Sequence, residues 1–154
     1  MNRRILLRSG LSAGQLALAV KAGLLWPVTL LASDWPADAF QATRYEEAAA
    51  MLFRGEPVEE GGHVRLEAKA IAEDGSTVPI RVVTDLSGPL TVTLFSLANP
   101  TPAVGRFELS GALDGRLDTR IKMAQSGEVL AVVRAQGRHY GARRRIQVSA
   151  GGCG

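Results

Sequence analysis

The sequence predicts an all-β chain: an antiparallel β-sandwich of about seven strands, preceded by one short N-terminal α-helix. Three observations carry this. Apolar residues recur at helical spacing only once after the first thirty residues, near positions 45–52, and with a period of two in segment after segment from His63 onward. Those segments are separated by Gly, Pro, Asn and Asp at the spacing of a sandwich. Finally, 154 residues that are 46% hydrophobic and 21% charged suffice for one domain with a core and are too apolar for a disordered tail. The 17 glycines follow no three-residue period, which excludes a collagen-like chain.

In chain order, Ser33 to Gln41 reads as an extended lead-in, since Trp35 precedes a proline and avoids the helical region. Thr43-Arg44-Tyr45-Glu46 has capping-box spacing, Tyr45, Ala48, Ala49 and Leu52 form one apolar face, and Gly55 stops the helix. From His63 to Ile71 apolar and polar residues alternate until Glu73-Asp74-Gly75. Val78–Thr84 follows, with Pro79 where a strand's first residues or an edge tolerate it. Leu90–Phe95 alternates up to Asn99-Pro100-Thr101-Pro102; Val104–Leu109 and Leu117–Met123 are shorter strands. Val129–Ala135 is a near-continuous apolar run, the pattern of a strand buried on both faces. Gly137 marks a turn and Tyr140–Val148 the last strand. With one cysteine no intersheet disulfide can form, so this is not an antibody-type domain. There is no internal repeat and no linker for a second domain.

Residues 1–33 read as an export signal. They hold Arg3, Arg4, Arg8 and Lys21 and no acid, and a basic start leads into short Leu- and Ala-rich stretches broken at Lys21. No uncharged run reaches the ~18 residues of a spanning helix. The Arg3-Arg4 pair before Ile5-Leu6-Leu7 marks the twin-arginine type, whereas a retained membrane anchor is the alternative. Cleavage falls after Ala32 or Ser33, or later after Ala39. The signal holds 4 of the 18 Lys and Arg and none of the 15 Asp and Glu, so the formal +3 of the whole chain becomes 14 basic against 15 acidic groups, a net of −1. A near-neutral domain offers no global electrostatic reason to bind nucleic acid.

Few residues carry recognisable chemistry. His63 and His139 have no Cys or acidic cluster at metal-ligand spacing and read as surface or interface histidines. In Arg143-Arg144-Arg145 only the first and third share a strand face, which favours a solvated edge or protein contact over a phosphate patch. Glu46-Glu47 on the helix and Glu59-Glu60 on a loop are sequence neighbours that do not converge as an acid/base pair. No Ser-His-Asp motif occurs. The chain does not read as a self-sufficient enzyme.

The tail, Ser149-Ala150-Gly151-Gly152-Cys153-Gly154, carries the only cysteine between glycines. Such a segment has little to pack against, so the cysteine is not a buried hydrophobe. Three readings stand: a chance thiol, an intermolecular disulfide, or a handle that carries something covalently. The handle has a physical rationale, because residues from Ala150 on advance ~3.3–3.6 Å each and lift the sulfur on the order of 10 Å clear of the domain. Glycines make that arm thin enough for a narrow cleft. The thiol's ordinary pKa is near ~8.5, so the receiving enzyme must supply the reactivity.

The chain resembles the SoxY family, the sulfur-carrier subunit of bacterial thiosulfate oxidation. The resemblance rests on the twin-arginine signal, Ala39-Phe40 with Tyr45-Glu46-Glu47-Ala48, and Thr119-Arg120-Ile121-Lys122-Met123-Ala124. It extends to the Val129–Ala135 strand, Tyr140, and above all Gly151-Gly152-Cys153-Gly154, which lacks the last glycine of the family's usual Gly-Gly-Cys-Gly-Gly. The resemblance implies an immunoglobulin-like sandwich over 34–150, a carrier arm over 151–154, and a periplasmic heterodimer with a SoxZ-like subunit. It implies that Cys153 is the covalent attachment point for sulfur intermediates, that Gly151, Gly152 and Gly154 form the arm, and that the chain itself needs no cofactor or metal. By the same resemblance the cytochrome SoxAX loads thiosulfate, SoxB releases sulfate, and SoxCD oxidises the remaining sulfane sulfur or it is passed elsewhere. The competing reading is a periplasmic thiol redox or adaptor module that forms an intermolecular disulfide through Cys153.

Overall fold

The computed structural model describes residues 35–110 and 115–149. The expectations placed on Arg3 and Arg4, and on Gly151, Gly152, Cys153 and Gly154, lie outside the described residues. Among the described residues two helices, α1 (Ala37–Gln41) and α2 (Tyr45–Phe53), precede nine strands. These are β1 (Val58–Glu60), β2 (Val64–Ala68), β3 (Ile71–Ala72), β4 (Val78–Thr84), β5 (Leu90–Ser96), β6 (Ala103–Leu109), β7 (Arg116–Ile121), β8 (Gly127–Ala135) and β9 (Arg138–Val148). A six-stranded sheet runs β1-β9-β8-β5-β6, with β3 also paired to β9; β2-β4-β7 form a second sheet. The chain is therefore an all-β sandwich with a short N-terminal helical region.

The core between the sheets follows from alternation. Val64 and Leu66 from β2, Val78, Ile80 and Val82 from β4, Val92 and Leu94 from β5, and Val129, Ala131 and Val133 from β8 all bury their side chains in it. The apolar run of β8 has the predicted two-sided burial. Its other face, Leu130 and Val132, joins Phe95 and Ala103 beneath Ala42, Ala48 and Phe53 of the helical region. Tyr45 and Phe53 meet the Phe95 ring edge-on at 5.2 and 5.9 Å, a favoured aromatic geometry. At the β8–β9 hairpin, Gln136 and Gly137 both have positive φ, 50° and 81°. That is the turn whose twist matches paired strands, and Gly137 supplies one of its left-handed positions without strain.

Several local expectations are corrected. The lead-in is not extended, because Ala37–Gln41 is helical: Pro36 restrains Trp35 before it but leaves the Ala-rich residues after it free to turn. The capping box does not form; α2 begins at Tyr45 with Arg44 as its N-cap and no side-chain cap bond. The helix does stop as expected, with Arg54 at φ 54° and Gly55 at φ 77° just beyond Phe53. The strand expected over His63–Ile71 divides. Residues 64–68 pair with β4, whereas Ile71 and Ala72 pair in parallel with Gln147 and Val148 of the other sheet. The alternation continues through Lys69-Ala70, so the change of sheet leaves no mark in the pattern. Glu59-Glu60 lies on a strand, β1, which pairs in parallel with His139–Gly141. Pro79 sits one residue beyond the last β2–β4 pair, at a strand's start as expected.

Candidate functional site

The described residues end at Ser149, one residue past the last strand, and the site is built around that point. Three connections gather there: the β3–β4 turn (73–77), the β5–β6 loop (97–102) and the β7–β8 loop (122–126). Each is tied to its neighbour. Asn99 donates from Nδ2 to the Lys122 carbonyl and accepts the Ala124 N–H at Oδ1, both at 2.8 Å. Gln125 Nε2 donates to the Ala98 carbonyl at 3.1 Å, and the Met123 N–H donates to the Gly75 carbonyl at 2.7 Å. Ser76 bonds to Asp74 through its hydroxyl at 2.7 Å and its backbone N–H at 2.8 Å. Those donors hold the Asp74 carboxyl below its ordinary value, the hydroxyl contributing most.

The end of β9 is held on both edges. On the β8 side, the Val148 N–H donates to Ser126 Oγ at 2.9 Å, and the Ser126 hydroxyl lies 3.4 Å from the Val148 carbonyl. On the β3 side, the Gln147 and Ser149 N–H groups donate to the Ala70 and Ala72 carbonyls at 2.8 and 3.0 Å. The Ser149 hydroxyl adds longer contacts to Ala72 and Glu73. Gly75 is packed so closely that a Cβ there would stand 2.5 Å from the Met123 carbonyl oxygen and 2.9 Å from Val148 Cγ1. Backbone is thus tied to its neighbours as far as Ser149.

The Thr119–Ala124 segment is explained by the same packing: Ile121 and Met123 are buried in the core, while Lys122 and Ala124 meet Asn99. Ala39 and Ala48 are fully buried where the helical region meets the sheet. These residues shape the scaffold. Sequence reasoning missed Asn99, Ser126 and Gly75, although Asn and Gly in connections are a signal that turn chemistry is at work.

The remaining candidates lie elsewhere. His63 and Asp85 bond through Nδ1 at 2.9 Å at the opposite end of the sandwich, half exposed, with the His63 ring against Tyr140. His139 corrects the surface reading: it is 3% exposed and packs against Phe53, ring centroids 4.8 Å apart and the planes tilted by 47°. Burial pushes its imidazole below the ordinary value, Glu56 opposing this and Arg134 adding to it. Glu56 Oε2 stands 3.1 Å from Nδ1 but off the line a hydrogen bond requires, so that contact is electrostatic. Glu59 pairs with Arg138, and Glu60 with Arg143 at 2.6 Å, so the two adjacent carboxylates are held apart by different arginines. Arg143 and Arg145 share the strand face opposite Arg144, as alternation requires.

A family model for the sulfur oxidation protein SoxY matches residues 49–153. A solved structure of the sulfur carrier protein SoxY from Chlorobium limicola f thiosulfatophilum is 32% identical, with a TM-score of 0.62, and the match covers 74% of this chain and 99% of that one. A superoxide reductase (neelaredoxin) from Ignicoccus hospitalis is 16% identical over 57% of this chain and 81% of its own, at a TM-score of 0.47. The soluble domain of PmoD from a Methylocystis species is 10% identical over 62% of this chain and 99% of its own, at 0.41. Nothing further follows from the last two. No curated protein sequence matches the chain.

Proposed function

The chain belongs to the SoxY family of sulfur oxidation proteins, and from that premise we propose that it is a periplasmic sulfur carrier whose covalent attachment point is Cys153. One observation carries this furthest: the last strand is tied down to Ser149 at one end of the sandwich, and the family match runs on to residue 153. Beyond Ser149 come Ala150, Gly151 and Gly152, then the thiol. The scaffold presents; other proteins do the chemistry.

In this reading the Cys153 thiolate joins thiosulfate through a new S–S bond. Two electrons leave to the haem protein SoxAX, giving Cys–S–S–SO3⁻. Water then cleaves the terminal S–S bond under SoxB, releasing sulfate and two protons and leaving Cys–S–S⁻. SoxCD oxidises that sulfane sulfur, or it is passed elsewhere. A SoxZ-like chain is the stable partner. Export by the twin-arginine route suits this, since the route carries folded proteins and a bound partner can travel with the signal-bearing chain. Cleavage after Ala32 or Ser33 leaves α1 whole, whereas a cut after Ala39 severs it.

The test separates this from its rivals. Cys153→Ser abolishes loading from thiosulfate by the cognate SoxAX. A hydrolase keeps turnover in that variant. An adaptor working by a stable disulfide gives a symmetric dimer on mild oxidation and no sulfur adducts on the monomer.

A further inference from the structure

We propose that the Ser126 hydroxyl, with β3 and the bare Cα of Gly75, acts as a clamp that fixes the pivot of the carrier arm at Ser149. This rests on the carrier reading above, because an arm has a pivot only if it carries something. Ser126 contributes a side-chain tie where β9 runs past the start of β8: its oxygen accepts the Val148 N–H at 2.9 Å and lies 3.4 Å from the Val148 carbonyl. On the other edge β3 is only two residues long. Its pairing with Gln147 and Val148, together with the N–H bonds from Gln147 and Ser149 to Ala70 and Ala72, is what keeps the strand ordered to its last residue. The two edges act at the same residues, 147–149. Gly75 lets the β3–β4 turn close over Val148 and Met123, where any Cβ would collide.

The consequence is a fixed reach. Four residues lead from Ser149 to Cys153, so chain length limits the Cys153 Cα to within about 14 Å of that one point. Without the clamp the pivot retreats to Ile146, whose side chain is buried in the core. The reach then grows by about 10 Å, and the volume searched by the sulfur grows much faster than its useful part. The clamp therefore sets how concentrated the cargo is at an enzyme that docks against this end of the sandwich. It does not touch the thiol. Ser126 is a positioning residue, and its loss changes delivery and leaves the intrinsic reactivity of Cys153 alone.

Three variants of the full chain test this: Ser126→Ala, which removes the tie; Ser126→Thr, which keeps the hydroxyl; and Gly75→Ala, which wedges the turn open. Cys153 is loaded without any enzyme by tetrathionate: the thiolate displaces thiosulfate from it and leaves Cys–S–S–SO3⁻. The sulfate-releasing hydrolase then acts on each loaded protein. Hydrogen exchange at Val148 and Ser149 reads the clamp, alkylation of the free thiol by iodoacetamide reads reactivity, and sulfate release reads delivery. In Ser126→Ala the Val148 amide exchanges about tenfold faster, alkylation is unchanged, and sulfate release slows about fivefold. Ser126→Thr restores both exchange and release. Gly75→Ala repeats the loss by an independent route, and should it fail to fold, Ser126→Ala alone decides. Faster exchange with unchanged sulfate release overturns the proposal, as does an unprotected Val148 in the native protein. Normal exchange protection with no sulfate release from the loaded native protein overturns the carrier reading instead.

Discussion

At the scale of single residues, two side chains do work that their neighbours in sequence do not announce. Asn99 closes one loop onto another with two 2.8 Å bonds to backbone groups. Asn99→Ala leaves the Lys122 carbonyl and the Ala124 N–H to water and costs about 1–2 kcal/mol, read from the midpoint of urea unfolding. His139 is buried against Phe53, and that burial disfavours its charged form. Its folded-state value lies below its unfolded one, near ~6.5. The unfolded chain therefore binds more protons as pH falls, and this contribution is complete above the unfolded value. It is lost as pH drops from there toward the folded value. The protein unfolds at lower urea at pH 5.5 than at pH 7.5, and His139→Gln flattens that difference. The residue type was visible in the sequence for both; that one histidine is covered by an aromatic side chain 86 positions earlier was not.

Among elements, β8 and β3 mark the two limits of what alternation reveals. The apolar run of β8 announces burial on both faces, since no residue in it is left for water until Arg134, and the structure places it between the sheet core and the helical region. Leu130→Ala opens a cavity between β8 and that region and costs about 2–5 kcal/mol by chemical denaturation; a cost under ~1 kcal/mol contradicts the two-sided packing. The short strand β3 was illegible. A strand that changes sheets keeps its period of two, and the two residues that reach β9 carry no turn signal ahead of them. The capping box misled for a related reason. Thr43 and Glu46 stand at the right spacing, yet the helix begins one residue later than that motif requires, at Tyr45, whose ring is fixed against Phe95. Packing decided the boundary.

At the scale of the whole molecule, fold class and family were legible, whereas what anchors the end of the last strand was not. The period-two segments and their turn residues define a sandwich, and a glycine-flanked lone cysteine is rare enough to identify. What holds the base of that segment is a set of contacts between residues 70–76, 126 and 147–149, far apart in sequence and made mostly by backbone atoms. A linear pattern of side chains holds no record of them. The division of labour gives a further expectation. Deleting Gly151 and Gly152 leaves the sandwich intact, with unchanged circular dichroism and unfolding midpoint, but draws Cys153 back by about 7 Å and abolishes processing by the enzymes. Normal processing by the shortened arm contradicts the need for reach.

The central claim, that Cys153 is where sulfur is carried, is tested most directly by intact-mass and peptide-mass analysis of the purified protein after incubation with thiosulfate and the cognate SoxAX. The account predicts that each chain gains the mass of one thiosulfate-derived adduct, located on Cys153 and removed by reductant. An unchanged mass, an adduct on any other residue, or conversion to a symmetric disulfide dimer contradicts it.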